Sequence, residues 1–176
     1  MQDLFDYAQK SGIELKNVGR CQFCHSNVSK GVFECEGNLN HLTQILDFNN
    51  PIYYETRFLS VDAMALQHCE LHGPWNNHIH LTRLYLIFEK NIKWDYAKTP
   101  LLSNIINAYK KDKTEFLTPP RFGERGQLTT LDLLNASTPE ECINIVKSWA
   151  TEVYHSFSEH QTLISSLANS FLNRYG

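Results

Sequence analysis

Cys21-Gln22-Phe23-Cys24 sets two thiols two residues apart, and Cys35 adds a third after ten intervening residues. At this spacing two sulfurs can each lie about 2.3 Å from one tetrahedral ion, and a third thiolate leaves a single position to fill. Soft sulfur ligands make zinc the expected occupant. Free thiols in a loop and a redox dithiol are the competing readings. Redox motifs usually open a helix after a strand, whereas residues 17–37 form a polar stretch punctuated by Gly, Ser and Asn. The fourth ligand is open: spacing does not choose among His25, His41, His68, His72, His78 and His80. His25, adjacent to Cys24, would need a cramped chelate. Cys69 and Cys142 lie in helical segments and read as small buried hydrophobes.

A second set of residues points to acid–base or metal chemistry. Asp62, His80 and His160 occupy predicted helices, and His160 sits in a seam otherwise filled by Phe157 and Ile164. If those helices pack together, the three would converge as the open metal site of a hydrolase or transferase. The plainer reading makes His80 a core histidine bonded to backbone or to Asp62, and His160 another satisfied core histidine. His78 and His80 diverge around a helix, so only one points inward, and His80 lies with Leu84 and Phe88. Asp62 and His68 are about 600° apart around the helix and do not form a direct pair. His68 and His72 share a face, although Gly73 is placed to release His72 into a turn. Arg121-Phe122-Gly123-Glu124-Arg125-Gly126 lacks the Lys-Ser/Thr ending of a phosphate loop and reads as a solvated turn. Trp75, Trp94 and Trp149 read as packing residues.

Helices must position these groups. Residues 2–11 form a short helix ended by Gly12, and 17–37 break every periodicity as a knuckle. Leu39, Leu42, Ile45 and Leu46 begin a helix that closes at Asn49-Asn50-Pro51. Apolar steps of three and four predict helices over 55–71, 77–90 and 99–110, the first two joined through Gly73-Pro74. Residues 114–136, with Pro119-Pro120, Gly123 and Gly126, read as an ordered crossover that contains a short extended piece. Ser137-Thr138-Pro139-Glu140-Glu141 supplies a hydroxyl N-cap, a first-turn proline and carboxylates at the positive helix end. One long helix is expected over 138–174, with a restart at Ser158 as the alternative. The fold class is therefore all-α: five or six helices in a bundle with an N-terminal zinc knuckle.

Composition bounds the rest. A chain of 176 residues, 42% hydrophobic, fits one domain able to bury a core without disulfides. Five cysteines, an odd number, argue against a disulfide framework. A formal net charge of −3 with no long run of one sign disfavours nucleic-acid binding. No stretch approaches the roughly 20 apolar residues of a membrane span. The acidic start, Met1-Gln2-Asp3-Leu4-Phe5-Asp6, is unlike a secretory signal, so a cytoplasmic location is expected. A protein partner or a homo-oligomer is compatible with this composition.

Cys21-x-x-Cys24, Cys35, Val61-Asp62-Ala63-x-x-x-Gln67-His68 and His80-Leu81 together resemble an uncharacterised bacterial family, the domain of unknown function 5946. The likeness continues through Leu117-Thr118-Pro119-Pro120, Gly126-x-Leu128-Thr129 and Trp149-Ala150. Gln22, Met64 and Cys69 depart from the family's Pro, Tyr and Pro at those positions, and none of the three removes a candidate ligand. The resemblance implies a shared fold and metal site, with His68 as the fourth ligand beside Cys21, Cys24 and Cys35. It implies no activity. The expectation is a zinc-binding helical protein whose metal is structural, acting as a binding or interaction module.

Overall fold

The computed structural model describes residues 2–111, 113 and 116–176. Its helices are α1 (Gln2–Lys10), α2 (Val32–Leu39), α3 (Leu42–Ile45), α4 (Tyr54–Gln67), α5 (Pro74–Phe88), α6 (Lys98–Lys110), α7 (Pro139–Ser156) and α8 (Gln161–Tyr175). The five long ones, α4 to α8, make the bundle. α4 packs on α5 and α7, while α5 also carries α6 and α8 on its other side. Buried Leu66, Leu81, Leu84, Leu102, Ile106 and Trp149 come from four separate helices and fill one core. No strand occurs among the described residues, where the knuckle's only pairing is a single bridge between Gly19 and Lys30.

Several expected boundaries move, each for a local reason. The knuckle stops at Gly31, whose φ of 56° is open to glycine and whose Cβ would stand 2.1 Å from the Lys16 carbonyl. A helix starts directly after it, so Cys35 lies on α2 rather than in a loop, and the helix expected from Leu39 is reduced to the one turn of α3. Pro74 opens α5 at its first position instead of closing the helix before it. α4 ends at Gln67, and His68 leaves the helix with φ −124° and ψ 40° before a 3-10 turn at Cys69–Leu71. In the crossover, whose residues 114 and 115 lie outside those described, the extended piece is absent: Asp132 accepts the Thr129 amide at 2.8 Å and curls the chain into a 3-10 turn, Asp132–Asn135.

The 138–174 stretch is two helices. Thr138 and Glu141 form the reciprocal cap that starts α7. At Phe157 the backbone turns to φ −98° and ψ 22°, and a 3-10 turn at Ser158–His160 leads into α8. An unbroken helix of that length would run about 55 Å. The break instead folds Ile164, Leu167, Ala168 and Phe171 back against α5 and α6. No helix of the described residues is long and apolar enough to cross a membrane.

Candidate metal centre

Three separated segments bring their soft donors together at the end of α4. Cys21 and Cys24 come from the knuckle turn, which closes on itself through Cys21 N–H to the Ser26 carbonyl at 3.1 Å and His25 N–H to the Cys21 carbonyl at 3.1 Å. His25 occupies the left-handed region at φ 59° and points its ring to Gly123, away from the sulfurs. Cys35 comes from α2, and His68 from the residue at which α4 stops. All four are buried, and their ligand atoms lie within 4.8 Å of one another. Cys24 Sγ stands 3.7 Å from Cys35 Sγ, and Cys21 Sγ stands 3.4 Å from His68 Nε2. A tetrahedral ion with bonds of about 2.3 Å to sulfur and about 2.0 Å to nitrogen separates its ligands by about 3.8 Å and about 3.5 Å respectively. The residues are positioned to bind a metal ion.

The imidazole is set for the task by its other nitrogen. His68 Nδ1–H donates to the Met64 carbonyl at 2.8 Å, which leaves Nε2 with its lone pair toward Cys21. Phe23 holds the ring edge-on at 6.0 Å. Left to protons alone, the four groups divide them unequally. Hydrogen bonds with Cys24 and then Cys35 push the Cys21 thiol down, against burial, while bonds with Cys21 and Cys24 push the Cys35 thiol up. Burial works against a charged His68, yet its bonds to Cys21 and Cys24 raise it to about 10. The three groups therefore share their protons as one buried cluster.

A clamp ties this centre to the crossover. Gln67 donates through Nε2 to the Arg125 carbonyl at 2.9 Å and the Leu128 carbonyl at 2.7 Å. Arg125 returns a bond to the Gln67 carbonyl at 3.0 Å and grips Glu70 with both terminal nitrogens, at 2.8 and 2.6 Å. The segment 121–126, expected as a solvated turn, is thus anchored by a buried guanidinium whose partners lie on the far side of the sequence. Sequence reasoning had no signal for that pairing beyond an arginine between glycines. Arg125→Ala is expected to destabilise the fold by about 2 kcal/mol or more, because Glu70 and the carbonyls of Gln67 and Pro120 lose a charged donor. Limited proteolysis within 120–128 alongside a urea titration measures it, and parental resistance would contradict the clamp.

Asp62 and His80 meet: His80 Nδ1 lies 2.7 Å from Asp62 Oδ1. Asp62 is fully buried, and Arg83 holds it with two nitrogens, Nε at 2.7 Å on Oδ2 and Nη2 on Oδ1. Arg83 escaped notice in the sequence, although it follows His80 by three residues and so shares its face. His160 does not join them. Its Nε2 bonds the Thr118 carbonyl at 2.8 Å, because the turn between α7 and α8 carries it to the crossover. His78, expected to point away, is more buried than His80 and stacks on Trp75 at 4.7 Å. His41 bonds the Ala136 carbonyl at 3.0 Å, and His72 bonds the Ala65 carbonyl at 3.1 Å, so neither enters the cysteine cluster. Burial, with smaller contributions from His80 and His68, pushes His72 down to about 3. Cys69 and Cys142 are buried as expected, as are Trp94 and Trp149, while Trp75 is half-buried.

Compared with the curated proteins and with the solved structures, the chain matches none. The model of the Family of unknown function (DUF5946) matches residues 19–158, a span that takes in the knuckle, the four clustered donors, the Asp62–His80–Arg83 group and all of α7. The chain belongs to that family.

Proposed function

We propose that this is a zinc-binding protein in which Cys21, Cys24, Cys35 and His68 hold one structural Zn2+, within a single helical domain that acts as a binding or interaction module. The observation that carries the reading is the convergence of three thiols and an imidazole from three chain segments within 4.8 Å. Soft sulfur and imidazole donors in a tetrahedral spacing suit Zn2+ above the harder divalent ions. Four protein ligands close the coordination sphere, so no position is left for water or substrate. The ion would supply cross-linking rather than Lewis-acid chemistry. Five cysteines without a disulfide among them fit a reducing compartment such as the cytoplasm.

Elemental analysis of the purified chain, before and after dialysis against a chelator under native conditions, tests this. One zinc per chain, released only on unfolding, is the expected result. Two ions, one of them exchangeable in the folded state, would instead favour the hydrolase or transferase reading around Asp62 and His80.

A further inference from the structure

Beside the metal centre a cleft of about 910 Å³ runs along α4. Val61, Met64 and Ala65 line it from α4, and Leu42, Ile45 and Leu46 line it from α3 and the residue that follows. Its size falls within the range of about 300–1,000 Å³ typical of small-molecule sites, and such sites pair apolar walls with a few converging polar groups. Among the polar groups that line it are two imidazoles, His72 and His80, whose ring centres lie 5.3 Å apart.

Each of these rings has one nitrogen committed to the protein. His80 Nδ1 faces the Asp62 carboxylate and His72 Nε2 faces the Ala65 carbonyl. Both partners only accept, so those nitrogens carry the hydrogens, and His80 Nε2 and His72 Nδ1 carry the lone pairs. No described residue bonds either of these two nitrogens. The Arg83–Asp62 pair holds His80 in one tautomer and one orientation, and so aims a fixed acceptor rather than a mobile one. The Glu36 carboxylate lines the same cleft and adds acceptor character. Arg57 also lines the cleft, five residues before Asp62 and so about 7.5 Å along the axis of α4. Its guanidinium covers Phe48 and Tyr96 at 5.5 and 5.6 Å.

We propose that this cleft binds a small molecule with an apolar body and an amine or hydroxyl head group, whose hydrogens are accepted by His80 Nε2 and His72 Nδ1. At those two nitrogens an acid head of the same size meets lone pairs instead of donors. The inference names the ligand class of the binding module proposed above and rests on that reading, because the knuckle metal holds the α2 side of the cleft.

Calorimetric titration of the full zinc-loaded chain with cyclohexylmethylamine, cyclohexylmethanol and cyclohexanecarboxylate compares one apolar body with three heads. The amine and the alcohol are expected to bind about tenfold more tightly than the carboxylate, a difference of about 1.4 kcal/mol. Val61→Trp fills the cleft from a partly exposed position and should remove binding of all three with zinc content unchanged. His80→Phe keeps the ring and removes the lone pair, and should bring the three affinities together while Arg83 still neutralises Asp62. Equal affinities in the parent chain, no saturable binding, or binding that survives Val61→Trp would overturn the proposal. So would a second equivalent of Co2+ bound by the parent and lost in His80→Phe, which would make the two imidazoles metal ligands. Zinc measured on the same samples separates the two readings: full zinc without head-group preference sinks the ligand class alone, and preference without zinc sinks the metal alone.

Discussion

Cys24→Ser is expected to strip the protein of its zinc and to unfold at least the knuckle. A serine hydroxyl is a poor ligand at neutral pH, because the metal prefers a deprotonated sulfur. Structural zinc sites contribute about 10–16 kcal/mol of apparent binding free energy, against about 5–15 kcal/mol for the stability of a whole domain. Even partial loss is therefore large. A fall of about 4 kcal/mol would lower Tm by roughly 10 °C in a chain of this size. The damage should spread beyond the knuckle, because Phe23 packs on both His68 and Phe122, and Ser26 meets Thr129 of the crossover at 3.1 Å. Zinc stoichiometry and thermal melts of the same preparation measure both effects. Full zinc at the parental Tm would remove Cys24 from the centre.

Arg83→Met should be nearly as damaging without touching the metal. Asp62 is fully buried, and in the variant its charge would keep His80 as its one side-chain partner. Breaking a buried pair by removing one member costs about 3–5 kcal/mol, most of it the penalty of the charge left behind. Asp62→Asn strands the guanidinium in the same way and should also retain zinc, since no metal ligand changes. Combining Arg83→Met with Asp62→Leu removes both charges and should recover much of the loss, because apolar replacement of a whole buried pair is often neutral. Urea titrations of Arg83→Met, Asp62→Leu and the double variant close the cycle. A cost below about 1 kcal/mol for Arg83→Met would show the pair to be solvated. Loss of zinc in Asp62→Asn would mean that the ligand set is misassigned.

Most of the helical architecture was legible because its causes are local. Apolar residues at three- and four-residue steps located α4, α5 and α6 to within a few positions and the α7–α8 stretch as one helix, and the Thr138–Glu141 cap appears where hydroxyl, proline and carboxylate follow one another. Boundaries failed where a distant partner sets them. α4 ends one residue before His68 as that ring reaches Cys21 forty-seven positions away, and α7 ends at Ser156 as the following turn sends α8 back over α5 and α6. The polar residues divide in the same way. Asp62 and His80 were identifiable as a possible pair, but Arg83 and Arg125 were not, since a buried arginine looks like a surface arginine until its carboxylate is in place.

From residue order alone came the helical class, the three thiols at metal spacing and the kinship that singled out His68, all matters of short-range periodicity and motif. Which charges lie dry, which histidines share a wall and where His160 goes were decided by packing. Desolvation and hydrogen-bond geometry act between atoms that are neighbours in space, and for Arg125 and Glu70 that neighbour is 55 residues away along the chain.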